Sequence, residues 1–175
     1  NDKVIVQTSK NNEVAAFLLA YSFFIVNRLA YSGIITAGYS GTRFNEGSIK
    51  TLEKSKKLLE NISLKTEDYS KSLKKKGEDV FIFLDPPYYE VTEGLYGKYG
   101  NWKAKDFRLL KRRLKKTPHK FLLTVNDAPF IRNLFSEKGF YIYKREYIYS
   151  SSPTRKRKDE LIITNYEVPK KTKIV

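Results

Sequence analysis

Asp85-Pro86-Pro87-Tyr88 places a carboxylate, two stiff residues and an aromatic ring in four consecutive positions. It follows Val80-Phe81-Ile82-Phe83-Leu84, an unbroken apolar run that reads as a central strand covered on both faces. In open α/β sheets ligands bind at the carboxyl ends of the strands, so this loop leaves the sheet where chemistry belongs. The prolines forbid further strand, and Pro87 contributes no N–H, which lets nearby carbonyls turn towards a ligand. The Asp85 carboxylate and the Pro86 carbonyl can both accept hydrogen bonds from an amino group conjugated to a ring. Such bonds favour a pyramidal nitrogen, localise its lone pair and stabilise positive charge as it develops on that nitrogen. Tyr88 can stack on the ring. A tetrapeptide of this kind arises by chance in a chain of this length at roughly one in a thousand; the competing reading is a rigid turn.

The elements around the loop must hold it. Glu13 to Leu29 is apolar on nearly every side and reads as a largely buried helix. Tyr31 to Gly41 is rich in glycine and small polar residues, a loop with unusual backbone angles. Ser48 is placed to cap a helix through Leu59, with Ile49, Leu52 and Leu59 inward. Ile62 to Leu64 reads as a short strand, and Tyr69 to Lys76 as a basic helical connection. Ala104 to Lys116 has the spacing of an amphipathic helix with Phe107, Leu110 and Leu114 inward. Phe121 to Val125 is a second buried strand, and Pro129 to Lys138 a helix with proline in its first turn. Tyr141 to Tyr149 and Leu161 to Asn165 are joined by too few residues for a crossover helix, so they pair antiparallel. The fold class is α/β, an incomplete Rossmann-like sheet with a carboxyl-terminal antiparallel hairpin. Residues 1–60 form a mainly helical segment and residues 61–175 the sheet domain.

Composition narrows the partners. Lys and Arg number 34 against 19 acids, a formal charge of +15, beside 13 Tyr and 11 Phe. Cations hold phosphates and rings stack on bases, so the combination points to nucleic acid. With no cysteine and one histidine, His119, a thiolate or zinc site is not expected and no metal is assigned, and His119 reads as a plain surface residue. No apolar run spans a bilayer, so a membrane is not expected and the setting reads as cytoplasmic. The chain has no methionine and starts at Asn1, which reads as a processed chain or a piece of a longer one.

Taken together, Asp85-Pro86-Pro87-Tyr88, Thr66-Glu67-Asp68-Tyr69 and Asp159-Glu160-Leu161-Ile162-Ile163-Thr164-Asn165-Tyr166 resemble the motifs of the Dam-type adenine-N(6) DNA methyltransferases. Asn27 to Gly33 and Gly41 to Asn45 look like the family's target-recognition region, which precedes the catalytic loop. The resemblance, from about Ala15 to Tyr166, implies S-adenosylmethionine as cofactor, duplex DNA as partner and a prokaryotic or phage setting such as restriction–modification. It implies Asp85, Pro86, Pro87 and Tyr88 as the catalytic set. It also implies Asp68, with Tyr69 and Asp85, on the cofactor, and Tyr31, Ser32, Thr36 and Arg43 on DNA. Members that read GATC carry Asn and Arg where Ser32 and Thr36 stand, and threonine cannot make arginine's bidentate pair with guanine. No particular site follows. The family's Gly-Gly-Lys segment and Phe-x-Gly-x-Gly turn are missing, and Gly94, Gly97 and Gly100 look like a mobile lid instead. The cofactor half is therefore expected from an upstream segment or a complementing chain.

Arg155-Lys156-Arg157-Lys158, beyond Ser150 to Thr154, forms a basic connection suited to phosphate contact, with a solvated charge run as the plain alternative. Methylation of RNA adenine or of a protein amide, which related loops serve, and a non-catalytic DNA-binding remnant remain the other readings.

Overall fold

The computed structural model describes residues 10–30, 38–41, 46–90, 102–148 and 157–169. The chain divides into two compact units, Asn1–Leu64 and Lys65–Val175.

In the first unit, α1 (Lys10–Leu29) and α2 (Glu46–Leu59) are helices, as their patterns predict. Their burial differs from expectation. Phe17 is 67% and Leu19 72% exposed, and Ile49, Leu52 and Leu59 are exposed too. An apolar surface all round a helix encodes length and conformation but not which side is covered, and among the described residues little covers α1. Ser48 is not a cap. The helix already begins at Glu46, and Ser48 is buried with its Oγ accepting a hydrogen bond from Arg28 Nη2 at 3.3 Å. Behind α1 an isolated bridge pairs Ala30 with Tyr39, and Ser40 N–H donates to the Leu29 carbonyl at 2.8 Å. Closing the chain on itself this tightly uses Gly38 and Gly41 at φ +81° and +73°, angles that L side chains rarely take.

Ile62 to Leu64 is not a strand. Ile62 is 53% and Leu64 74% exposed, and with no neighbouring strand among the described residues these three have nothing to satisfy a ladder. The second unit starts with α3 (Tyr69–Ser72), shorter than the helix read from sequence because the lysine run after it carries no apolar face. Then come β1 (Phe81–Leu84), α4 (Ala104–Leu114), β2 (Lys120–Asn126), α5 (Pro129–Phe135), β3 (Tyr141–Ile148) and β4 (Arg157–Thr164). α5 stops at Phe135, three residues short of the predicted Lys138, where Ser136 caps it and Gly139 turns at φ +98°.

The fold is mixed α/β with a four-stranded sheet in the order β1-β2-β4-β3. β1 and β2 are parallel, across a connection that includes α4, while β4 is antiparallel to both β2 and β3. The alternation of β2 puts Phe121, Leu123 and Val125 on one face, each fully buried, in register with Ile82, Ile163 and Leu161. Phe107, Leu110 and Leu114 of α4 and Ile131 and Phe135 of α5 complete this core. The inward set predicted for α4 is the observed one.

Among the described residues β1 is the end strand of the sheet and not its centre, and its second face is open, with Phe81 and Phe83 at 53% and 63% exposed. The apolar run signals a strand flanked on both faces, but among the described residues only the Ile82 face is covered. β2 takes the central place instead. His119 is also corrected: it is buried, with Nε2 2.6 Å from the Lys75 carbonyl, so the lone imidazole closes the chain segment ahead of β1 against the entrance of β2. Among the described residues no helix is long and apolar enough to cross a membrane.

Candidate functional site

The carboxyl ends of β1 and β2 lie side by side, because Leu84 pairs with Leu123 in a parallel ladder. Asp85 therefore leaves β1 beside Thr124, and Thr124 Oγ1 lies 2.9 Å from Asp85 Oδ1 and 3.3 Å from the Leu84 carbonyl. The hydroxyl has one proton for these acceptors, and the carboxylate is the nearer and stronger. That contact orients the Asp85 side chain. Its Oδ2 makes no hydrogen bond among the described residues, and Asp85 is exposed. Pro86, Pro87 and Tyr88 are partly buried.

Tyr88 is anchored from β4. Its hydroxyl donates to Glu160 Oε1 at 2.7 Å, which fixes one end of the ring. The next residue is held more firmly. Asn126, last in β2, accepts the Tyr89 N–H on Oδ1 at 2.8 Å and donates from Nδ2 to the Tyr89 carbonyl at 2.9 Å. One side chain thus satisfies both backbone groups of a loop residue, as a neighbouring strand would. Glu90 follows at φ +54°, a costly angle for a residue with a Cβ, so the clamp holds the loop at a point of strain. The Tyr89 ring stacks on Phe130 of α5 at 4.6 Å between centroids. Glu90 beside its phenol raises the Tyr89 pKa above the ordinary value.

Thr124, Asn126 and Glu160 are the residues that sequence reasoning left out of the site. Thr124 and Asn126 sat inside or next to a strand read as core, and Glu160 lay in the last-strand motif without a role. The signal was the alternation of β2: Phe121, Leu123 and Val125 point one way, which sends Leu122, Thr124 and Asn126 the other.

Asp68 and Tyr69 sit apart from this cluster, with no hydrogen bond or ion pair to it. Asp68 is the N-cap of α3, its Oδ1 accepting from Ser70 N–H at 2.9 Å with Arg113 Nη1 at 3.6 Å. The hydrogen bonds with Ser70, helped by Arg113, hold its carboxyl below the usual range. The Tyr69 ring lies against Trp102, with Arg113 over its face, and burial raises its pKa. Tyr31, Ser32, Thr36, Arg43, Arg155 and Lys156 lie outside the described residues, as do Gly94, Gly97 and Gly100. Arg157 and Lys158 are placed as the first residues of β4 rather than as part of the preceding connection. Among the described residues no group of acids and His could hold a metal ion.

The family model for D12 class N6 adenine-specific DNA methyltransferases matches residues 3–151. The chain belongs to that family. No curated protein matches it at a significant level. A D12 methyltransferase acts on adenine in DNA, and the family implies S-adenosylmethionine as the methyl donor. The small mixed sheet is consistent with that assignment. The match also covers the first unit, where sequence reading placed the target-recognition segment.

Proposed function

We propose that this D12 family member is a Dam-type enzyme that methylates the exocyclic amine of an adenine turned out of duplex DNA, with Asp85-Pro86-Pro87-Tyr88 as its catalytic loop. The observation that carries the reading is the set of contacts on that loop. Asp85 is exposed at the strand end with one oxygen held by Thr124, Tyr88 is tied to Glu160, and Asn126 locks the residue behind them. An adenine amine entering there donates to the outward oxygen of Asp85 and to the Pro86 carbonyl, while Tyr88 stacks on the base. Leaving the duplex costs the base a few kcal/mol, which stacking in the pocket partly returns.

S-adenosylmethionine supplies the electrophilic methyl group when bound. Of the described residues Asp68 fits it best: its side chain is 61% exposed and, held ionised by Ser70 and Arg113, can accept from the cofactor's adenine amine. Tyr69 positions this end of the chain through its packing on Trp102. The rest of the cofactor half is proposed to come from a further strand, supplied by an upstream segment or a second chain. The open end position of β1 and the exposed Phe81 and Phe83 support that. Tyr31, Ser32, Thr36 and Arg43 are proposed to contact the target sequence, and Arg155, Lys156, Arg157 and Lys158 the phosphates.

A substrate panel tests the proposal. The protein, completed by the segment that supplies the cofactor half, is incubated with labelled S-adenosylmethionine and duplex DNA, single-stranded RNA or an amide-bearing peptide, and the products are digested and separated. Label in N6-methyladenine from the duplex supports the reading; label only in RNA or in the peptide overturns it.

A further inference from the structure

Helix α4 presents cations along one exposed face. Phe107, Leu110 and Leu114 turn inward, which leaves Lys105, Arg108 and Arg112 exposed, with Lys115 and Lys116 just beyond the helix. An open cleft of about 620 Å³ is lined by Lys105, Arg108, Lys111, Arg112, Lys115 and Leu134. A second, of about 360 Å³, is lined by Leu109, Arg112, Arg113, Lys115 and Lys116. Among the described residues neither wall contains a carboxylate.

The plain account of such a face is the helix dipole, which favours cations in the last turn. It covers Arg112 and Arg113 but fails for Lys105, which stands in the first turn, where the dipole repels a cation. Local neutralisation does not cover the face either. Glu137 accepts Lys111 at 3.0 Å and Lys115 at 2.6 Å, and those lysines hold its carboxyl below the usual range, Lys115 more than Lys111. Among the described residues no carboxylate pairs with Lys105, Arg108, Arg112 or Lys116. The helix's one acid, Asp106, is turned to the Lys103 N–H at 2.9 Å. A cation row without counter-charges repels itself unless something anionic lies along it.

The row also leads somewhere. The Arg108 guanidinium sits 5.3 Å from the centroid of Phe130, and Phe130 stacks on Tyr89, next to the catalytic loop. From there the helix carries the cations away from the site, at about 1.5 Å per residue.

We propose that the exposed face of α4 binds the phosphate backbone of the duplex flanking the target adenine, a second DNA contact separate from sequence recognition. It rests on the DNA-methyltransferase reading above, and its occupant is set by charge complementarity to phosphate. The test compares the protein with a Lys105→Gln/Arg112→Gln variant, both positions being exposed. Binding of a labelled duplex is measured across a salt series, and steady-state rates in parallel. Each lost phosphate contact flattens the dependence of log affinity on log salt by about 0.9, so the pair should lower the slope by about 1.8. KM for DNA should rise while kcat at saturating DNA stays unchanged. An Arg112→Glu variant repeats the test with a single exposed change if the double variant is poorly folded. Unchanged affinity and slope in a variant whose parent binds duplex overturn the inference and leave the face to an acidic protein partner. If the parent itself binds no duplex, the underlying reading falls and takes this one with it.

Discussion

Replacing Asn126 by alanine removes the clamp on Tyr89 without touching a group proposed to meet substrate. Both hydrogen bonds of the amide, at 2.8 and 2.9 Å, are part-buried and neutral. At about 0.5–1.5 kcal/mol each, their loss frees the loop by about 1–3 kcal/mol. Glu90, at φ +54°, adds to the tendency to open, because that angle costs an L-residue about 1–2 kcal/mol and the clamp no longer opposes its relief. If the full loss falls on the transition state, kcat/KM drops by about 5- to 150-fold, one decade per about 1.4 kcal/mol. The assay is initial-rate methyl transfer to adenine-containing duplex, with duplex affinity and thermal melting measured beside it. The drop should sit in kcat, since Asn126 holds the catalytic loop and not the duplex. Asn126→Asp should be no better than alanine, because it keeps the acceptor for the Tyr89 N–H but sets a carboxylate against the Tyr89 carbonyl. A folded Asn126→Ala protein with kcat/KM within about twofold of its parent would falsify the positioning argument.

Three further outcomes follow from the same contacts. Thr124→Val, nearly the same shape without the hydroxyl, should lower kcat by about 10- to 150-fold, since a hydrogen bond to a charged group is worth about 1.5–3 kcal/mol; Thr124→Ser should restore most of it, and equal rates for Val and Ser would remove the role of the hydroxyl. Glu160→Ala should loosen the Tyr88 ring and reduce the fluorescence gain of 2-aminopurine placed at the target position, whereas Glu160→Gln keeps an acceptor and should retain most of the signal. Asp68, Asp127 and Glu137 are each held below their usual pKa, by Ser70, by Arg132 and by Lys115 respectively. A carboxylate depressed in the folded state contributes stability above its unfolded pKa and loses it as pH falls through the folded one. Melting temperature should therefore hold level with respect to these groups from about pH 8 to 5 and fall below about pH 4; a fall already complete at about pH 5 would contradict the assignments.

The end of β1 at Asp85 was legible because proline acts locally and stops a strand without tertiary context. The inward face of α4 was legible as well: Phe107, Leu110 and Leu114 recur at helical spacing, and one face of a sheet received them. Coverage was not legible. Val80 to Leu84 and Glu13 to Leu29 are apolar throughout, and such runs state that burial is favourable without stating what supplies it; Phe83 and Phe17 stay exposed. Ile62 to Leu64 failed as a strand because a three-residue apolar–polar–apolar alternation carries no information about a partner strand. The supports of the site were hidden differently. Thr124, Asn126 and Glu160 become site residues only through strand register, with Asn126 opposite Glu160 across β2 and β4, and register between strands so far apart in the chain is a property of the folded sheet. His119 was misread because its partner is a backbone carbonyl, which every residue has, and no sequence pattern marks the one that is near.

The central claim is that Asp85 activates an adenine amine in DNA, and comparing Asp85→Ala with its parent tests it most directly. Asp85 is exposed and, among the described residues, holds only the Thr124 hydroxyl, so the variant should fold and bind duplex as its parent does. Transfer of labelled methyl from S-adenosylmethionine to duplex adenine is measured at saturating DNA. With the cofactor half supplied to both proteins, the account predicts N6-methyladenine from the parent and a loss of at least about a hundredfold in the variant, the scale of removing one well-placed stabilising group. Undiminished transfer by Asp85→Ala would contradict it.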